Sequence, residues 1–416
     1  MSSIHTGAVS ARRYRCPIDL PEGFRDDYAE RLANLGFRES ESPPDNLMRI
    51  GWVQTPDMFD SSFSDLNQWY LDGYLMFTMR IDTWKIPGML LKAHMKRRVD
   101  AWLKEHSRVR CPASVRSEIR DLIQHELVQK VLPKTELIEI VWRLNDEIVM
   151  VGTQVESKND LVRKLFFETF DACLLIWNPL DHMGVDGAVA DKLQIATHYD
   201  FAGPEAGIVE VKEWLKTESS DDINMVQDRS DDDAPRIFNP WLVSEFMVYL
   251  WFTCLANGGS MEVTWTRVMN DLLRTCNDIP VDLWIKNRIT FSGGRKDLDG
   301  TASVKSESAA EDYVAMSALA DQRLPESVCF GLLIEEREYD FVLTATPWMD
   351  LKAVKLPATV GSDFETSFYD RMLTMQELEG ALDALWQGFC VLRASSEGWR
   401  GQVTAMRSWI QQAVDF

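Results

Sequence analysis

The period of the apolar residues changes near position 90, and this change restricts the fold more than any other feature of the chain. YLMFTMRI at 74–81 is a continuous apolar and aromatic run of strand length. WKIPG at 84–88 ends it, because proline lacks a backbone donor and keeps the preceding residue out of the helical region. From Leu91 the apolar positions recur every three or four residues: Leu91, Met95, Val99, then Trp102 or Leu103. That is one stripe of an amphipathic helix. A second helix is expected over 115–130, with Ser114 as its cap. LIEIVWRL and EIVMVGTQ then read as two strands joined at Asn145-Asp146, and SKNDLVRKLFFETF returns to helical spacing through Leu161, Leu165, Phe166 and Phe170. With a shorter strand at GWV (51–53), the order is strand, strand, helix, helix, hairpin, helix. It lacks the regular alternation of a doubly wound parallel sheet and predicts an α+β fold, with mixed or antiparallel sheets and helical arms.

Further along, NPWLVSEFMVYLWFTC reads as a buried helix starting at Asn239 or Pro240. VDLWIKNRITFSG (281–293) reads as a strand, and SVCFGLLIEEREYDFVLTAT (327–346) as a hairpin turning around Glu336–Glu338. LTMQELEGALDALWQGFCVLR and GWRGQVTAMRSWIQQAV are two amphipathic helices. Between the halves lies KTESSDDINMVQDRSDDDAP (216–235), whose acids and serines mark a linker or loop. The expected partition is an N-terminal α+β region at 1–90, a basic helical arm with a strand-helix region at 91–215, the acidic linker at 216–235, and a C-terminal α+β region at 236–416.

Charge is unevenly distributed over this framework. The net charge is -21, yet between Lys85 and Arg116 there are nine Lys or Arg and two acids, a local balance of +7 that leaves -28 for the remainder. Exposed charges more than about 8–10 Å apart are largely screened at physiological salt, so the local field decides what such a surface attracts. Lys and Arg on one helix and its following loop suit phosphates and do not require reading of bases. A solvated basic helix face is the plain alternative.

Other chemistry is weakly supported. The seven cysteines are scattered without a C-x-x-C pair, which argues against zinc and against a disulfide framework and predicts reduced thiols. No apolar run nears the roughly 18–20 residues of a membrane span, and the N-terminus lacks a signal-peptide core, so a cytoplasmic protein without metal or other cofactor is expected. HMGVDG (182–187) matches the H-x-x-x-D-G pattern of acyltransferases resembling the chloramphenicol acetyltransferase and plant BAHD families, in which the histidine, here His182, is a general base. No DFGWG-like segment accompanies it, and a loop after the strand in LLIWNPL accounts for the same residues. Asp228, Asp231, Asp232 and Asp233, and Glu335 with Glu336, could serve a metal-dependent nuclease only if they converged; solvated charge is the simpler reading. Gly293-Gly294-Arg295-Lys296 lacks the spacing of a phosphate-gripping loop, and no G-x-S-x-G elbow occurs.

The order of segments resembles the bacterial recombination-associated protein RdgC family, particularly its longer members. The matching blocks are LPEGFRDDYAERLANLGFRE, IGWVQTP, GYLMFTMRIDTWKIPG, KAHMKRRVDAWLKE, SVRSEIRDLIQHELVQKVLPKTELIEIVWRL and VGTQVESKNDLVRKLFFETF. NPWLVSEFMVYLWF and ELEGALDALWQGFCVLR resemble segments of the longer members. The turn SRVRCPASVRSEIR departs from the denser glycine, arginine and lysine run common in the family. The resemblance implies an α+β protein forming a ring-shaped head-to-head dimer, whose basic hole encircles duplex DNA without sequence preference. It implies no enzymatic activity, but competition with recombination proteins for DNA at the nucleoid. On this reading Lys92, Lys96, Arg97 and Arg98 lie on a DNA-facing arm, with Lys104, Arg108, Arg110 and Arg116 nearby. Two other functions compete: an acidic interaction or regulatory module imitating DNA through 216–235, and an acyltransferase using His182.

Overall fold

The strand-to-helix change at position 90 lies inside the first of two structural units. A computed structural model describes residues 3–40, 43–199, 201, 236–256, 260–269, 272–294, 300–358 and 363–414. The acidic segment 216–235, with Asp228 and Asp231–Asp233, and the pair Arg295 and Lys296 lie outside the described residues. The molecule is α+β, with antiparallel sheet and ten helices among the described residues.

The first unit comprises Cys16–Val151 and Glu156–Leu174; the strand before it, β1 (Val9–Arg15), belongs to the second. Its elements are α1 (Phe24–Asn34), β2 (Met48–Val53), β3 (Tyr70–Leu71), β4 (Tyr74–Thr83), α2 (Gly88–Glu105), α3 (Ala113–Val128), β5 (Lys134–Arg143), β6 (Ile148–Val151) and α4 (Glu156–Phe170). The strands run β6-β5-β4-β2, with β3 also on β4, each pair antiparallel. β4 is buried over all but its last residue, as a central strand with both faces covered must be. One face packs on α4 through rings of different elements: Phe77 lies 5.6 Å from Phe170 and Trp142 lies 5.2 Å from Phe166, while Tyr28 of α1 lies 4.9 Å from Phe170. The buried indole N–H of Trp52 donates to Thr169 Oγ1 at 2.7 Å, which removes the cost of burying it unpaired.

Both helices after β4 start earlier than the sequence reading places them. α2 begins at Gly88, three residues before Leu91, because Pro87 takes the N-cap position and its carbonyl accepts the Leu91 N–H at 3.1 Å. α3 begins at Ala113 with Pro112 at the N-cap, so Ser114 lies inside the helix and does not cap it. Proline enters a helix start at little cost, since its fixed φ suits the turn and no donor is wasted.

The second unit comprises Met1–Arg15, Gly152–Val155 and Leu175–Phe416. After β1 come β7 (Leu175–Ile176), α5 (Pro179–His182), α6 (Gly187–Gln194), α7 (Pro240–Ala256), β8 (Ser260–Met269), β9 (Leu272–Gly293) and β10 (Ala302–Lys305). These are followed by α8 (Tyr313–Ala320), β11 (Arg323–Ile334), β12 (Arg337–Thr344), β13 (Leu351–Lys355), α9 (Phe364–Ala394) and α10 (Ser396–Val414). The strand order is β10-β9-β11-β12-β13-β1, with β8 added on β9 and β7 on β1. β9 starts well before the expected 281: residues 272–282 pair with β8 and 281–293 with β11. The β11–β12 turn is the pair Glu335-Glu336, one position ahead of the expected bend, with Glu335 in the left-handed region at φ 54°. α7 starts at Pro240 and is buried nearly all round, matching its unbroken apolar composition. Among the described residues no helix is long and apolar enough to cross a membrane.

Candidate nucleic-acid interface

α2 and α3 pack on each other as a helical hairpin that projects from the first unit between β4 and β5. Its 18-residue first helix spans about 27 Å at the usual rise and buries no side chain. The stripe Leu91, Met95, Val99, Trp102 and Leu103 is only part-covered, while α3 buries Ile123, Leu127 and Val128. The arm holds its place with few buried contacts, and this leaves most of α2 to solvent.

All eight expected cations, Lys92, Lys96, Arg97, Arg98, Lys104, Arg108, Arg110 and Arg116, are exposed. At about 100° per residue, Lys92, Lys96, Lys104 and Arg97 fall within an arc of about 140° on α2. Asp100 falls inside the same arc. Arg98 projects from the opposite flank, toward α3. There its guanidinium donates to both Glu126 carboxylate oxygens, at 2.7 and 2.8 Å. Both partners are nearly half exposed, so the pair contributes at most about 1 kcal/mol, but it turns the Arg98 charge inward against α3. Among the described residues, the other seven cations have no carboxylate at ion-pair distance.

The turn between the helices is ordered by short-range bonds. The His106 N–H donates to Trp102 O at 3.0 Å and the Arg108 N–H to Leu103 O at 3.1 Å. Ser107 takes the left-handed conformation, φ 48°. The His106 ring stacks on Trp102, with centroids 4.3 Å apart and planes 17° from parallel. Arg108, Val109 and Arg110 follow directly, all exposed.

At the base of the hairpin is a cleft of about 490 Å³ lined by Phe37, Arg49, Arg80, Trp84, Lys130 and their neighbours. The three cations come from distant positions, so no local pattern announced it. Arg80 is fully engaged there: it donates to Asp82 at 2.9 Å and to Glu39 at 3.1 Å, and its guanidinium lies over Phe37 at 4.1 Å. Arg49 lies over Trp84 at 5.3 Å.

The HMGVDG residues lie in the second unit and hold their own turns. His182 closes α5, and its Nδ1 accepts the Asn178 N–H at 2.9 Å. Burial pushes its imidazole down to about 4, against the pull of Asp181. An imidazole so depressed is a weak base for a hydroxyl proton at neutral pH. Asp186 is the N-cap of α6, accepting from Ala188 N and Val189 N. Burial pushes the Cys16 and Cys254 thiols up to about 12, which disfavours the thiolate. Among the described residues, no three His, Cys, Asp or Glu side chains gather as a metal site requires.

No protein-family model matches the chain, and a search of curated proteins returns no match.

Proposed function

We propose that the protein binds duplex DNA without sequence preference, through the cationic face of α2 and the turn that follows it, as a member of an RdgC-type group acting as a homodimer in recombination or replication. The observation that carries this reading is the set of seven exposed cations that, among the described residues, have no ion-pair partner, on an arm that buries no side chain in its first helix. A structural role for these charges would leave them in ion pairs or lying along apolar surface. Their exposure matches what phosphate contact needs: affinity by counterion release, and no base-edge geometry.

The test is duplex binding by fluorescence anisotropy as a function of salt. Replacing Lys96, Arg97 and Lys104 together by Ala lowers the steepness of log K against log salt by about 0.9 per lost phosphate contact, up to about 2.7 in all, equally on unrelated sequences. Arg98→Ala has a much smaller effect, because Glu126 already holds that charge. Unchanged affinity and slope in the triple variant overturns the assignment. Light scattering tests the second half of the proposal: a particle of twice 47.7 kDa is expected, and a monomer refutes the dimer.

A further inference from the structure

Val109 is the tip of the hairpin turn, and the residue is fully exposed, at 101%. Single exposed apolar residues are common on protein surfaces, so exposure alone assigns nothing. Among the described residues, however, Val109 is the most exposed of the large apolar side chains and the one with an arginine on each side. Its position is also fixed from behind. The left-handed Ser107, the backbone bonds into the last turn of α2, and the His106–Trp102 stack set the direction in which Arg108-Val109-Arg110 leaves the arm. Pro112 then starts α3, and its carbonyl accepts the Arg116 N–H at 3.0 Å.

Resting on the duplex-binding reading above, we infer that Val109 is a wedge that enters the minor groove and parts a base step, with Arg108 and Arg110 on the flanking phosphates or groove walls. A branched apolar side chain, presented rigidly between two cations, has the parts that minor-groove wedges combine: an apolar body that replaces lost base stacking, and charge that follows the narrowed groove. Pyrimidine–purine steps such as TA unstack most readily and are the expected sites. The wedge touches no base edge, so it adds a preference for deformable steps without a sequence code.

The experiment places 2-aminopurine beside a TA step in a duplex and follows its fluorescence as full-length protein is added. Unstacking relieves the quenching of this base, so wild type raises the signal. Val109→Ser keeps both arginines. It is expected to bind within about threefold of wild type with the same salt slope, because no phosphate contact is lost, yet to leave the fluorescence near that of free duplex. Val109→Leu restores the rise. Wild type that binds without a rise, or Val109→Ser that keeps the full rise, overturns the wedge and leaves duplex binding standing. No duplex binding by wild type overturns both.

Discussion

Glu245 has no solvent exposure, and a carboxylate in that position survives only if its charge is matched. Burial raises its affinity for a proton, but Arg393 and His198 outweigh burial and hold the group below the usual carboxylate range. Arg393 Nε donates to Oε2 at 2.5 Å, while the His198 ring and the Tyr199 N–H meet Oε1 at 2.8 and 2.9 Å. The guanidinium itself sits among the rings of Tyr199, Trp241 and Trp399. Arg393→Met therefore removes the main counter-charge and leaves a buried anion, at a cost of about 3–5 kcal/mol in urea unfolding of the second unit. A loss below about 1 kcal/mol would mean that the carboxylate needs no partner there. His182 gives a separate pH signature. Its folded imidazole titrates near 4 and an unfolded one near 6.5. Between those values the unfolded chain binds the extra proton, so this stabilisation is complete above pH 6.5 and is lost as pH falls toward 4. The upper limit is roughly 3 kcal/mol, reduced by the residual exposure of the ring. His182→Gln should flatten the stability profile across that window while leaving it unchanged above pH 7.

At the scale of elements, what could be read from the chain depended on whether its cause was local. The stripe of α2 and the Phe166–Phe170 face of α4 follow from spacing alone, and both helices are present. α7 was legible from its apolar run and its proline. The first half of β9 was missed because, among the described residues, it pairs with β8 alone: LLRTCND (272–278) mixes charge and apolar residues without alternation, and only register with the facing strand makes it extended. The cap of α3 was misread for a related reason, since serine and proline both favour helix starts and their competition is decided by backbone geometry. The cationic set was legible as composition, but the loss of Arg98 to Glu126 was not, because the partners are 28 residues apart and meet only when α3 folds against α2. The same packing predicts local stability. α4 buries Val162, Phe166 and Phe170, while α2 buries nothing, so α2 opens at far lower free energy. Hydrogen exchange should show amides of 88–105 exchanging at least about tenfold faster than those of 156–170, each tenfold step being about 1.4 kcal/mol of opening energy. Added duplex should slow exchange in the first set alone. Equal protection in the free protein would mean that the part-covered stripe of α2 does not set its opening energy.

For the whole molecule, the decisive quantity is the opposition between a local +7 and a remainder of -28. A polyanion approaching the arm is attracted over a few ångströms by the exposed lysines and arginines and repelled at long range by the chain's net charge of -21. Which of these it feels depends on the screening length: about 8 Å at 0.15 M salt, but about 30 Å at 0.01 M. If the arm binds duplex as proposed, near physiological salt only the arm acts, and affinity falls with added salt as phosphate contacts require. Lowering the salt strengthens those contacts and at the same time uncovers the acidic remainder. The plot of log K against log salt should therefore be straight above roughly 0.1 M and bend toward a plateau or a maximum below roughly 0.03 M, where the screening length approaches the dimensions of a unit. A basic protein with the same contacts would keep climbing. Anisotropy titrations from about 10 to about 300 mM salt, over which the screening length falls from about 30 to about 6 Å, read the curvature directly. A strictly linear plot across that range would show that the duplex never senses the acidic remainder, and that the excess of Asp and Glu plays no part in limiting how tightly the arm can hold DNA.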